Sequence, residues 1–319
     1  MTRSVPPEEL QRPWLEEHDS CALIANVRKQ GRPSHGNVKR TLEALGQMGH
    51  RTGEVLGEGD GCGLLTDIPR AIWAHTLRAY DHPAELVDDP HFFVMHLMIP
   101  QGTAPEVMHQ ITALAELCVL QVLLSQPGRV RPEMLGPLAR AQEPLFWQIA
   151  GYAPGRDVRD ANARLFDFQL QVERDFAVHI VSCSTHSVIY KVRGHADTLY
   201  KYYPDLRDSE FMSAITIGHS RYSTNTETAF ERVQPFSLLG HNGEINTIAR
   251  LRQEARMLAA QLVPSGSDSQ DCEFCGCVHH DHEQQHPEQH GYWLCDWGWH
   301  WFFRHAHYHR QYDQRQYSS

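Results

Sequence analysis

The sequence changes character near residue 271. Residues 272–319 hold four of the eight cysteines, four of the seven tryptophans and nine of the 22 histidines. Two kinds of sequence are joined at that point, so the folding unit has to be read from what precedes it. The chain has 319 residues, 41% apolar and 21% charged, which is a globular composition with length for one large domain or two ordinary ones. Collagen, a coiled coil and a wholly disordered chain are excluded. So is a membrane span: Ala113–Leu124, the most apolar helical stretch, carries Glu116 and Gln121 and falls well short of the roughly 20 apolar residues a span needs. A net charge of −10 argues against nucleic acid as the main partner. Residues 1–20 (MTRSVPPEELQRPWLEEHDS) have neither a basic n-region nor an apolar h-region. They read as a polar leader on a cytoplasmic protein, whose cysteines are then thiols, metal ligands or a nucleophile rather than disulfides.

Along the chain, Cys21–Arg28 fits a short buried strand. Val38, Leu42, Leu45 and Met48 fall at helical spacing after a possible cap at Ser34 or Asn37. The glycine-rich stretch Gly53–Gly63 leads into the apolar run Leu64–Ile68. Helices are expected over Pro69–Tyr80, Ala104–Leu124, Pro132–Tyr152, Asp157–Phe176 and Asn246–Leu262, the last carrying Arg250, Arg252 and Arg256. Strands are expected over His91–Ile99, Ser213–Ile217 and Phe236–Leu239, and Val178–Cys183 with Ser187–Val192 reads as a hairpin. Separated helices and hairpin-like strands favour an α+β fold over a doubly wound parallel sheet.

Four segments carry chemistry. Cys21 opens a strand after the leader. Gly218–Thr226 reads GHSRYSTNT, Gly240–Thr247 reads GHNGEINT, and Ser265–Ser269 reads SGSDS. If the chain is cut after Ser20, a thiol and a free α-amine share one residue. An α-amine has a pKa of roughly 7.7–8.0, close to working pH, and can take the thiol proton. Asn242 and the Gly243 N–H form a reasonable oxyanion hole. Arg221 and Asp268 have the charges to grip the carboxylate and ammonium of an amino acid. Taken singly, each has a plainer reading: Cys21 a buried thiol, Arg221 a surface charge, Asn242-Gly243 an ordinary turn. Asp60 sits in a glycine-rich loop, but no Lys follows at phosphate-loop spacing. Cys62, Cys118 and Cys183 read as core thiols.

Together these segments resemble the glutaminase domain of class II glutamine amidotransferases, most closely the amino-terminal domain of the glutamate synthase large chain. The resemblance runs in order over residues 21–271. It rests on Cys21-Ala22, His50-Arg51-Thr52, Gly59-Asp60-Gly61, Tyr190-Lys191, Tyr203-Pro204-Asp205-Leu206, His219–Thr226, Gln234-Pro235-Phe236, His241–Thr247 and Gly266–Ser269. Ala22 and Thr52 stand where the family more commonly has glycine. The resemblance implies a four-layer αββα sandwich of the N-terminal-nucleophile hydrolase type, incomplete at its C-terminal end. It implies Cys21 as nucleophile, its freed amine as base, Asn242 and Gly243 as the oxyanion hole, Arg221 and Asp268 as ligands of the glutamine α-carboxylate and α-ammonium, and Arg51 as a supporting residue. Glutamine would become a Cys-bound glutamyl thioester and ammonia, and water would release glutamate. An ammonia-accepting synthase domain or subunit is the implied partner. The chain itself needs no cofactor; FMN and an iron–sulfur cluster would belong to synthase domains absent here.

The resemblance stops abruptly at residue 271. Cys272, Cys275 and Cys277 with His279, His280 and His282 have chelating spacing and could hold zinc. The reading preferred for this tail is a lost coding frame or an unrelated extension, disordered, because it shows no helix or strand period. An inactive truncated fragment, or a zinc-binding module built on the tail, are the rival readings of the whole chain.

Overall fold

The computed structural model describes residues 21–221 and 228–237, together with Gln253 and Met257, both helical and exposed. From its N-terminal end the chain runs through β1 (Ala22–Val27), α1 (His35–Gln47), the short strands β2 (Glu54–Val55) and β3 (Glu58–Gly59), β4 (Cys62–Asp67), α2 (Arg70–Ala79) and β5 (Phe92–Ile99). It continues through α3 (Ala104–Leu117), β6 (Gln121–Pro127), α4 (Pro137–Ala141), β7 (Leu145–Tyr152) and α5 (Val158–Asp175). Strands β8 (His179–Ser184) and β9 (Ser187–Val192), helix α6 (Ala196–Tyr202) and β10 (Ile215–Ser220) complete the described elements. Two four-stranded antiparallel sheets result, ordered β1-β10-β4-β9 and β6-β7-β5-β8, with β2-β3 as a separate ribbon. Helices pack on both sheets. This is the α+β class expected from the sequence, consistent with an N-terminal-nucleophile hydrolase sandwich.

Burial explains the second sheet. Every residue of β5 is buried, because the strand is apolar on both faces. Phe93, Met95, Leu97 and Ile99 pack with Met108 and Ile111 of α3 and with Leu165, Phe168 and Val172 of α5. Phe92, Val94 and Met98 point the other way, into a cluster with Leu64, Val188 and Tyr190 of the first sheet and Val38, Leu42 and Leu45 of α1. Helix α1 starts as read: the Ser34 hydroxyl accepts from the Asn37 N–H at 3.3 Å. The other candidate cap, Asn37, turns inward instead. Its Nδ2 donates to the Asn26 carbonyl and the Thr216 hydroxyl, tying α1 to β1 and β10. The opposite face of β1 is open, with Leu23 and Val27 exposed beside Ile215.

Three expectations are corrected. The helix read over Ala104–Leu124 ends at Leu117, and Gln121–Pro127 is a strand. The chain reverses through Val119 at φ +62°: Val119 N–H donates to the Glu116 carbonyl and Leu120 N–H to that of Ala115. Valine is a poor residue for that conformation, so the stop has no sequence signal. The helix read over Pro132–Tyr152 is a 3-10 turn, the five-residue α4 and then β7. β7 lies between β5 and β6 and is buried on both faces, so it lacks the alternation that marks a strand. Finally, β8 and β9 are not a hairpin. β8 pairs with β5 and β9 with β4, so the connection passes from one sheet to the other.

That crossover leaves β9 as an edge, and side chains cover it. The Ile189 N–H donates to the Ser182 hydroxyl at 3.1 Å. The Ile189 carbonyl accepts from Nδ1 of His96 at 2.9 Å, and His96 Nε2 accepts from Gln148 Nε2 at 3.1 Å. A neutral imidazole meets both demands, and burial pushes the His96 pKa down to about 4. Helix α6 had no counterpart in the sequence reading. Of the helix expected over Asn246–Leu262 only Gln253 and Met257 are described, both helical, and of the strand expected over Phe236–Leu239 only Phe236 and Ser237; the rest lies outside the described residues.

Candidate active site

Three adjacent strands of the first sheet end together. Ala22 pairs with Ser220, and Ser220 with Cys62. The next residue out on each strand is Cys21, Arg221 and Gly61. The pairing of β10 with β4 continues one step further, because the Arg221 N–H donates to the Gly61 carbonyl at 2.8 Å. Cys21 and Arg221 are therefore neighbours at one end of the sheet, and both are buried, 7% and 8% exposed. Burial pushes the Arg221 guanidinium below its ordinary range. Asp60 is the charge that most opposes this, Arg232 reinforces it, and Cys21 and Glu231 oppose it.

The loop between α1 and β4 closes over this sheet end. The Gly53 N–H donates to the Arg221 carbonyl at 3.1 Å, and the Asp60 N–H donates to the Gly53 carbonyl at 2.7 Å. Asp60 is buried, and its Oδ1 accepts from the Thr228 hydroxyl at 3.1 Å. Arg51 closes a 3-10 turn two residues before Gly53 and is half-buried. The ribbon β2-β3 is pinned at Glu58, whose carboxylate accepts from the N–H groups of Leu138 and Ala139 in the first turn of α4. Glycines of the GDGCG run admit the chain above: a Cβ on Gly63 would lie 2.1 Å from the Gln234 carbonyl oxygen. Lys191, fully buried, holds the same segment from β9, with Nζ 4.2 Å from the Phe236 ring centroid and 3.4 Å from the Glu231 carbonyl.

Of the residues singled out from the sequence, the structure brings together Cys21 and Arg221, with Arg51 on the loop bonded to Arg221. Asn242, Gly243 and Asp268 lie outside the described residues, as do Cys272, Cys275, Cys277, His279, His280 and His282 in the tail. Among the described residues no group of three or more His, Cys, Asp or Glu could hold a metal ion. Cys62 is a core thiol as read, pushed up to about 12 by burial, and accepts from the Ser220 hydroxyl at 3.7 Å. Cys118 and Cys183 are only partly buried by surface area, and both thiols are shifted upward by desolvation. Asp60 and Thr228 were missed as site residues. From the sequence, Asp60 stands in the Gly59-Asp60-Gly61 segment and in a loop without phosphate-loop spacing, with no role of its own, and Thr228 carries no sequence signal, since their contact depends on the fold bringing residues 60 and 228 together. No helix among the described residues is long and apolar enough to cross a membrane.

A thiol at a strand start, a buried arginine beside it and a glycine-rich loop bonded to that arginine thus lie together at one end of the first sheet. The chain belongs to the class-II glutamine amidotransferases, whose family model matches residues 21–271. It is 34% identical over 249 residues to a ferredoxin-dependent glutamate synthase 2 of Synechocystis sp., covering 75% of this chain and 16% of that protein. It is 31% identical over 252 residues to a glutamate synthase [NADPH] large chain of Bacillus subtilis, covering 75% and 16%. It is 33% identical over 248 residues to a ferredoxin-dependent glutamate synthase 1, chloroplastic/mitochondrial, of Arabidopsis thaliana, covering 73% and 15%. The chain thus spans about a sixth of the length of these relatives.

Proposed function

We propose that this chain hydrolyses L-glutamine to L-glutamate and ammonia, as the ammonia-supplying domain of a glutamate synthase-type protein. The observation that carries this is the adjacency of Cys21 and Arg221 at the ends of β1 and β10. Arg221 takes the α-carboxylate of glutamine, and Asp268 its α-ammonium. The Cys21 sulfur attacks the side-chain amide carbon. Asn242 and Gly243 donate to the oxygen that becomes negative in the tetrahedral adduct. The Cys21 α-amine, freed when residues 1–20 are removed, accepts the thiol proton and passes it to the departing nitrogen. The C–N bond breaks, ammonia leaves, and a glutamyl thioester remains. Water, deprotonated by the same amine, cleaves the thioester and restores the thiol. Arg51 orders the loop over the nucleophile. An ammonia-accepting synthase domain or subunit uses the product; FMN and an iron–sulfur cluster belong to that part.

The test is ammonia release from L-glutamine by purified protein, with intact mass recording whether residues 1–20 are present. Activity that appears only in protein beginning at Cys21, and is lost in Cys21→Ser, is the expected result. Turnover by protein retaining the leader contradicts the role given to the amine.

A further inference from the structure

Asp60 is a carboxylate only 2% exposed, and a buried charge of this kind is costly unless something meets it. A hydroxyl donor reaches it, and the backbone fixes where it lies. The Thr228 hydroxyl, itself 7% exposed, donates to Oδ1 at 3.1 Å. The backbone of Asp60 is also locked to that of Arg221. Asp60 N–H donates to Gly53, Gly53 N–H donates to the Arg221 carbonyl, and Arg221 N–H donates to Gly61, the residue after Asp60. The carboxylate and the guanidinium thus come from two backbones joined on both sides by hydrogen bonds of 2.7 to 3.1 Å. Of the charges around Arg221, that of Asp60 most favours the cation. An arginine has five N–H donors in a fixed plane, so a carboxylate on one side determines which donors remain for a ligand on the other.

We propose that Asp60, held by Thr228, is a positioning residue that orients Arg221 toward the α-carboxylate of the substrate. This rests on the function proposed above. Asp60 touches no reacting atom. Its contribution is to keep the guanidinium in one plane, so that recognition of a free amino acid depends on the substrate's carboxylate and excludes glutamine whose α-carboxylate is blocked.

The experiment compares protein freed of residues 1–20, and so beginning at Cys21, with its Asp60→Asn and Thr228→Val variants. Asp60→Asn keeps shape and the acceptor for Thr228 but removes the charge. KM and kcat are measured for L-glutamine and for its α-amide, and L-glutamate binding is measured by calorimetry. Loss of one charge-assisted contact predicts a rise of roughly tenfold in KM for L-glutamine, with kcat changed less than about twofold. KM for the α-amide stays put, so the preference for the free carboxylate collapses. Thr228→Val shifts KM in the same direction by roughly threefold. Equal losses on both substrates, or an unchanged KM for L-glutamine in both variants, overturn the proposal and leave Asp60 a fold residue. The calorimetry separates this from the parent reading. Protein that binds L-glutamate with Asp60-sensitive affinity yet releases no ammonia contradicts hydrolysis and supports the positioning role. Protein that turns over glutamine with affinity indifferent to Asp60 does the reverse.

Discussion

The Arg221 N–H donates to the Gly61 carbonyl at 2.8 Å, one residue beyond the last registered pair of β10 and β4. This bond prevents β10 from fraying where the site begins. Arg221 stays in line with its strand and next to Cys21, which extends β1 by the same single residue. The sheet end is also covered closely, because Gly61 and Gly63 lie directly beneath Val233 and Gln234.

That close cover gives the first prediction. A methyl group on Gly63 would sit 2.1 Å from a backbone oxygen, which has no rotamer with which to escape. Gly63→Ala is expected to cost about 1–3 kcal/mol of stability and to lower glutamine turnover, because the segment must lift from the sheet. Calorimetric unfolding checks the first effect and ammonia release the second. An unchanged midpoint would mean the segment does not lie on β4.

Val119 holds a left-handed conformation at φ +62° while 63% exposed. The backbone strain of a branched residue there is roughly 1–2 kcal/mol, partly offset in a glycine variant by the freer unfolded chain. Val119→Gly is therefore expected to stabilise the protein by about 1 kcal/mol, read as a higher denaturant midpoint. Destabilisation would contradict the reversal described between α3 and β6.

His96 links stability to pH. Its folded pKa is about 4 against an ordinary 6.5, with burial as the cause. Above the ordinary value the ring is neutral in both states and its contribution is complete. Between 6.5 and 4 the unfolded chain binds a proton that the folded chain does not, so stability falls as pH falls. The loss is about 1.4 kcal/mol per pH unit and about 3 kcal/mol over the window. Urea titrations from neutral pH downward should therefore slope less in His96→Gln than in the unsubstituted protein. Parallel slopes would show that His96 is not buried neutral.

Burial sets thiol reactivity. Cys62 is fully buried with a pKa of about 12, so native protein at pH 8 should leave it unalkylated, whereas urea-unfolded protein exposes it to iodoacetamide. Peptide mass spectrometry reads both states. Rapid native labelling of Cys62 would place it outside the core.

The parts legible in the sequence are those where local pattern and tertiary burial agree. Helix α1 has its cap at Ser34 and an apolar stripe, and α5 has Asp157 as cap and Leu165, Phe168 and Val172 on one face. β5 is legible as an apolar run interrupted only by His96. The errors fall where tertiary structure decides. β7 is buried on both faces and so carries no period, α3 stops at a valine, and the partners of β8 and β9 depend on a crossover that no local residue encodes. The site divides in the same way. Cys21 and Arg221 lie in motifs that can be read linearly. Asp60 and Thr228, 168 positions apart, meet only through the fold.

The central claim is that the Cys21 sulfur is the nucleophile of a pocket built around Arg221. A glutamine analogue bearing a chloromethyl ketone in place of the side-chain amide tests it most directly, read by intact mass and peptide mapping. The account predicts one adduct per chain, on Cys21, formed much more slowly in Arg221→Leu and suppressed by excess L-glutamine. An adduct confined to other cysteines, or labelling of Cys21 indifferent to both Arg221 and glutamine, would contradict it.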